Sequence, residues 1–167
     1  VYEGGYRVPA IAWMPGTIKK GTVSTALAST LDLYPTLIAM TGNEISNKEE
    51  LDGLNIKNTF VNNEPVRHDI HYYRQDTLIG IRHKEWKMYI KDPNPWNDDL
   101  TEKDIPVLYN IEHDPSEKYN VTNQHSDIVD RIVTLSEEHI QKVTKIPSKY
   151  DTILPEYQSA YDAYNKK

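Results

Sequence analysis

The apolar run Val8-Pro9-Ala10-Ile11-Ala12-Trp13-Met14, closed by Pro15-Gly16, limits the possible folds more than any other stretch. It is continuous, not alternating, so it reads as a strand covered on both faces in a mostly parallel sheet and ended by a turn. A buried strand needs neighbours on both sides, and nothing upstream in this chain supplies one. The opening therefore reads as the cut edge of a larger protein.

Downstream, TIKKGTVS is polar loop, and TALASTLDLYPTLIAMTG reads as helix with a stop at Gly42. Pro35 falls inside that pattern, and proline is tolerated only in a helix's first turn. A boundary is therefore expected near Asp32, whose short carboxylate can cap the turn holding Leu33, Tyr34 and Pro35. Leu33, Leu37 and Met40 then share one face. Residues 43–66 are polar, with Asp52-Gly53 as a turn, and read as a connector. Beyond them Ile79 and Ile81, then Trp86, Met88 and Ile90, recur at period two around a break at His83-Lys84-Glu85, a hairpin pattern. Val107-Leu108-Tyr109-Asn110-Ile111 forms another strand, ended by Asp114-Pro115. Ser126 caps a helix whose stripe is Ile128, Ile132, Leu135 and Val143. The tail from Pro147 carries tyrosines without a period.

At 167 residues the chain can hold one domain or two small subdomains sharing a core. No apolar segment approaches the roughly 20 residues of a membrane helix. A net charge of −6 argues against a nucleic-acid surface, which needs a basic footprint. With no cysteine, a disulfide framework and a thiolate zinc site are both excluded. The six histidines lack the i, i+4 spacing of a helical zinc pair.

Four constellations could carry chemistry. Glu3-Gly4-Gly5-Tyr6-Arg7 could form an anion nest of backbone N–H groups. The favoured reading is a turn in which the glycines take positive φ and Arg7 pairs with Glu3. Residues 67–91 form a basic island in an acidic chain: Arg67, Arg74, Arg82, Lys84, Lys87 and Lys91, with His68, His71 and His83. It could recognise the anionic groups of a sugar, with Tyr72, Tyr73 or Trp96 as stacking platforms, or be a hairpin with charges on its outer face. Asp98-Asp99 with Asp104 is the best hard-cation candidate, although an acidic run in a proline-rich loop is usually a solvated face. Asp114-Pro115-Ser116-Glu117 reads as turn architecture, and Asn120-Val121-Thr122 is a glycosylation acceptor pattern.

Three stretches together resemble the C-terminal portion of the sulfatase family, within the alkaline phosphatase-like superfamily. They are EGGYRVPAIAWMPG at 3–16, VSTALASTLDLYPTLIAMTG with the following LDG, and GIRHKEWKMYI paired with LYNIEHDPSEKYNV. The resemblance implies an α/β fold. Residues 1–65 would be the strand and helix completing an alkaline phosphatase-like catalytic domain, with a connector. Residues 66–145 would be an α+β subdomain of antiparallel sheet packed by a helix, and 146–167 a tail. The implied parent hydrolyses a sulfate ester of a small molecule or glycan, using a formylglycine nucleophile made from Cys or Ser beside a calcium ion. The nucleophile, the metal ligands and a sulfate-contacting lysine just before Glu3 are expected in a missing N-terminal part, so this fragment alone should be inactive and contribute no catalytic or metal residue.

By the same resemblance, Glu3, Gly4, Gly5 and Arg7 wall the active site, while His71, Tyr73, Arg74, Asn94, Pro95 and Trp96 help select substrate. No nucleic-acid partner and no membrane span are expected. The family implies a periplasmic or extracellular location, with the lysosome as the other option. The rival readings are a phosphodiesterase or phosphonate hydrolase of the same superfamily, and a non-catalytic glycan-binding module.

Overall fold

The computed structural model describes residues 2–47, 51–74, 76–93 and 106–143. The chain divides into two compact units, Val1–Thr134 and Leu135–Lys167. Within the first, helices α1 (Glu3–Tyr6), α2 (Leu33–Met40) and α3 (Lys57–Asn62) precede strands β1 (Asp69–Arg74), β2 (Thr77–His83), β3 (Trp86–Tyr89) and β4 (Val107–Asn110). Helix α4, Ser126–Lys142, runs from the first unit into the second. Asp127 in its first turn and His139 and Lys142 in its last complement the helix dipole.

The four strands form one antiparallel sheet in the order β1-β2-β3-β4. The period-two residues fall where the hairpin pattern puts them: Ile81 pairs with Met88, which pairs in turn with Leu108. These three and Ile79 are fully buried, making one face apolar. The β2–β3 turn uses Lys84 at φ 54, a left-handed conformation that lets two residues reverse the chain. The opposite face carries Leu78, Gly80 and Arg82 from β2, Lys87 and Tyr89 from β3, and Val107 and Tyr109 from β4. All of these but the partly exposed Arg82 are buried, so Lys87 on this face has no solvated side to occupy.

Gly80 makes this second face possible. A Cβ there would lie 2.5 Å from the Met88 carbonyl oxygen and 3.0 Å from the Tyr89 ring, which rests over the glycine. Around it Tyr89 meets Tyr2 and Tyr109 edge-on, at centroid distances of 5.8 and 6.1 Å, and Tyr72 meets Tyr6 at 5.1 Å. These spacings fall in the favourable T-shaped range.

Several sequence expectations require correction. Residues 8–14 form no strand: they pair with none of the four strands, and Ile11 is 99% exposed and Trp13 84% exposed. Among the described residues no strand lies beside them, so an apolar sequence has no ladder to join. The helix does not begin near Ser24. Ser29 opens a 3₁₀ turn over Thr30–Asp32, and α2 follows with Pro35 in its first turn. Ser29, not Asp32, is the capping side chain, accepting from Leu31 N while Asp32 reaches back to Ser29 N at 2.8 Å. The face expected of Leu33, Leu37 and Met40 is turned outward at Leu33 and Leu37, and Pro35 and Thr36 are the buried positions.

The connector contains α3, closed by Asn63 in the left-handed region. The polar pattern of this segment hid it, because its anchor is a hydroxyl: Thr36 Oγ1 accepts from Ile56 N at 2.9 Å. Gly53 is fixed by close approach, since a Cβ there would sit 2.1 Å from the Leu31 carbonyl oxygen.

Replacing Gly80 by Ala should destabilise the protein by about 1–3 kcal/mol, the usual cost of inserting a methyl into a filled core. The urea midpoint of the Gly80→Ala variant measures this, and an unchanged midpoint would mean that the Tyr89 ring does not need the space.

Candidate functional site

Glu3 is the first residue of a one-turn helix, yet its side chain is buried. Its carboxylate accepts from Arg82 Nη1 at 2.8 Å and from Lys87 Nζ at 3.1 Å. The Lys87 ammonium is 0% exposed, lies 3.1 Å from Glu117 Oε1 and sits 4.4 Å above the Tyr72 ring. Glu117 completes the group. Its Oε2 accepts from the Glu3 backbone N–H at 2.7 Å, and its Oε1 accepts from the Tyr89 hydroxyl at 2.6 Å. Carboxylates and cations therefore alternate, which is the condition under which buried charge is tolerated.

Glu117 is held in place by an unusual backbone. It sits at φ 55, which costs a non-glycine residue roughly 1–2 kcal/mol. The surrounding turn is fixed by Asp114 Oδ2, which accepts from Lys118 N at 2.7 Å and Tyr119 N at 2.8 Å. The acidic Asp114–Glu117 stretch is thus architectural, as its turn residues suggest, and its last member also delivers a carboxylate into the sheet's polar face.

A second buried carboxylate repeats the pattern. Asp32 accepts from Ser29 N, Leu54 N and the Arg67 guanidinium, with Arg67 Nε 2.9 Å from Oδ2. Burial by itself would raise the Asp32 carboxyl, but the Arg67 contact and the two backbone donors outweigh it and hold it below the ordinary carboxylate range. The Tyr89 phenol is pushed well above its ordinary value by burial, reinforced by the bond to Glu117. The Tyr72 phenol is raised too, by burial first and then by the Glu3 charge.

The basic island is therefore neither a solvated outer face nor, as a whole, a surface for anions. Arg67, Arg82 and Lys87 turn inward to carboxylates, Arg74 donates to the Asp92 carbonyl at 3.2 Å, and His83 Nδ1 lies 2.6 Å from Asp69 Oδ1. Lys84 is exposed beside a groove of about 390 Å³, also lined by Thr25, Arg67, His68 and Glu85. The expected Glu3–Arg7 ion pair is absent. Arg7 is exposed and its backbone N–H bonds the Glu3 carbonyl at 2.8 Å, because Arg82 and Lys87 occupy the carboxylate. Gly4 and Gly5 belong to α1 and do not take positive φ. Tyr72 cannot be a stacking platform, since it is buried under Tyr6 and Lys87.

His71, Tyr73 and Arg74 lie together on the edge strand β1, where the register shifts between Tyr72 and Tyr73. Asn94, Pro95 and Trp96, and the acidic Asp98, Asp99 and Asp104, fall outside the described residues. Sequence reasoning placed Lys87 in the basic island and Glu117 in a turn, and missed that both are buried against Glu3. A lysine alternating in phase with Tyr89 was the available signal for the first, and nothing local distinguishes Glu117.

The architecture is that of an α/β region in which an N-terminal helical part is tied by buried carboxylates to an antiparallel sheet. The chain belongs to the sulfatase family: residues 65–162 match the C-terminal region of aryl-sulfatase, and residues 1–43 match the sulfatase family itself. It is 26% identical over 162 residues to N-acetylgalactosamine-6-sulfatase of Mus musculus, covering 83% of this chain and 31% of that one. Among solved structures it is similar to Ps i-CgsB in complex with k-i-k-neocarrahexaose, at 28% identity and TM-score 0.57, covering 74% of this chain and 26% of that one. The fold also matches the PsFucS1 sulfatase from Pseudoalteromonas sp., at 19% identity and TM-score 0.66, covering 82% and 31%. The chain thus spans about a third of the length of the curated relatives it matches.

Asp32 and Arg67 give a pH prediction. A carboxyl whose folded pKa lies below its ordinary 3.8 contributes stability that is complete above that value and is lost as pH falls through the folded pKa. The difference in urea midpoint between wild type and Asp32→Asn should therefore be constant above about pH 5 and shrink below pH 4. Arg67→Ala, which strands the carboxylate, should cost about 3–5 kcal/mol at neutral pH. A pH-independent difference would show that Asp32 is not the ionised partner.

Proposed function

We propose that this chain is the C-terminal part of a sulfate ester hydrolase acting on a sulfated carbohydrate, and that its residues wall and select the substrate while other parts of the protein carry out the hydrolysis. The observation that carries the reading is the match of both family regions to one chain, joined by Glu3 to Arg82 and Lys87 of the sheet and by Asp32 to Arg67 just before it. The carbohydrate class is supported by the relatives: one is an N-acetylgalactosamine-6-sulfatase, and a similar structure holds a neocarrahexaose. In this reading residues 1–65 complete the catalytic domain, 66–145 form the C-terminal subdomain and 146–167 are its tail.

Sulfatase membership implies calcium and a formylglycine nucleophile. Among the described residues no three His, Asp or Glu side chains converge on a point that could hold a metal, and the chain has no cysteine. The described residues do not fit a calcium site, and in this reading both groups belong to other parts of the protein. What the chain supplies is shape and charge. The Glu3-Gly4-Gly5 turn contributes a wall, with Arg7 exposed beside it. The β1 end, with His71, Tyr73 and Arg74, contributes substrate contacts in this reading, as do Asn94, Pro95 and Trp96. A sulfuryl group in transfer carries negative charge on its oxygens, so cations and N–H donors near the mouth both bind the ester and stabilise the transition state.

The whole protein should release inorganic sulfate from a sulfated oligosaccharide and from 4-nitrophenyl sulfate, measured by ion chromatography. Arg74→Ala and Trp96→Ala should raise KM for the oligosaccharide about tenfold while leaving turnover of the aryl ester within twofold, the split expected of groups that bind the sugar remote from the reacting bond. Cleavage of a phosphodiester with no sulfate release would assign the protein to the phosphodiesterase rival, and glycan binding without hydrolysis would assign it to the binding module.

A further inference from the structure

The buried group around Lys87 has a property that packing does not require. A polar face filled by two carboxylates, two cations and a phenol is more demanding than an apolar one, and apolar residues of similar volume often serve a core as well or better. Three of its polar contacts nonetheless meet at a single residue, Glu3. Lys87 and Arg82 hold the Glu3 carboxylate, and Glu117 takes the Glu3 backbone N–H at 2.7 Å. That N–H opens α1, and the residue before it, Tyr2, provides no side-chain cap. Glu117 supplies the cap from 114 residues away in the chain, from a backbone held at positive φ. Gly4 and Gly5 follow at once, and apart from the helix's own backbone and their chain neighbours no atom lies within 4 Å of where their side chains would begin. The two glycines therefore make no packing contacts of their own, and the polar hold on the turn falls on Glu3, gripped from both its side chain and its backbone, with the Tyr2 and Tyr6 rings set against Tyr89 and Tyr72 on either side.

We propose that Lys87 and Glu117 are positioning residues of the active site: through Glu3 they set the place of the Gly4-Gly5 turn, so that the C-terminal sheet fixes one wall of a site whose reacting groups lie elsewhere. This rests on the sulfatase reading above. Lys87 is the pivot. Its ammonium spans both carboxylates, 3.1 Å from Glu3 Oε2 and 3.1 Å from Glu117 Oε1, while the Tyr72 ring closes the side below it. The Tyr89 hydroxyl, bonded to Glu117 Oε1, keeps that carboxylate oriented. Displacing a positioning group by about 1 Å can cost on the order of a hundredfold in rate without changing what binds.

The test uses the whole protein with Lys87→Met, Lys87→Arg and Tyr89→Phe. Two quantities are read for each: hydrogen exchange of the peptide containing residues 2–7, and kcat and KM for 4-nitrophenyl sulfate. Exchange at 2–7 should accelerate at least tenfold in Lys87→Met, and kcat should fall tenfold to a hundredfold with KM within about threefold. Lys87→Arg should recover part of both losses. Tyr89→Phe removes one hydroxyl and keeps the ring, so it decides the matter if Lys87→Met does not fold; it should shift both readings the same way by a smaller factor. Unchanged protection at 2–7, or a lowered Tm with kcat intact, overturns the proposal. If the wild type releases no sulfate, the sulfatase reading fails, while the exchange measurement still decides whether Lys87 and Glu117 hold the turn.

Discussion

A carboxylate buried at the third residue of a chain must be met by charge, and in this protein the rest of the structure is arranged to meet it. Glu3 reaches Lys87 and Arg82 across more than 75 residues of sequence, and Glu117 reaches back to its backbone. Left alone in the interior, any of these groups would cost several kcal/mol. Together they form an alternating set, and among the described residues no buried side-chain nitrogen or oxygen lacks a partner. The strand register is tied to this set. Lys87 and Tyr89 face Arg82 and Gly80 because β3 pairs with β2 as it does, and a one-residue slip would turn the ammonium to the side holding Ile79 and Ile81, and Met88 to the charged side.

Asp32 and Arg67 make a second tie of the same kind, also between the region matching the sulfatase family and the region matching its C-terminal portion. The two ties differ in character. Asp32 is a hub of local structure that fixes Ser29 and Leu54 as well as receiving Arg67, so it shapes the entry to α2. Glu3 fixes little besides its own turn. This contrast makes the Asp32 tie an organiser of local structure and the Glu3 tie a link between distant parts of the sequence.

The hairpin, β4 and the helix from Ser126 were legible because their signals are local: period-two apolar residues, a turn at His83-Lys84-Glu85, and a polar break before an apolar stripe. The glycine and proline punctuation placed the end of α2 and its first turn correctly. The run at residues 8–14 misled because continuous hydrophobicity reports a demand for burial, not the presence of a partner strand. The basic island misled for a related reason. Charges on a hairpin are usually solvated, but both faces of this sheet are covered, and the cations on one of them meet carboxylates from outside the hairpin, Arg82 and Lys87 with Glu3 and Lys87 with Glu117. Long-range pairings such as Glu3 with Lys87 leave no trace in local pattern, and Glu117, reached through a left-handed turn, leaves none at all. Glu3 was singled out with the wrong partner, Arg7 in place of Arg82 and Lys87.

The most direct measurement is a double-mutant cycle on Glu3→Gln and Lys87→Met, reading the free energy of unfolding of the whole protein in urea. If the buried pair is the contact on which the placement of the N-terminal turn depends, the two substitutions should be strongly non-additive, with a coupling energy of about 2–3 kcal/mol. Additivity within about 0.5 kcal/mol would mean that the two residues are independent, and the account of the sheet as the support for that turn would be wrong.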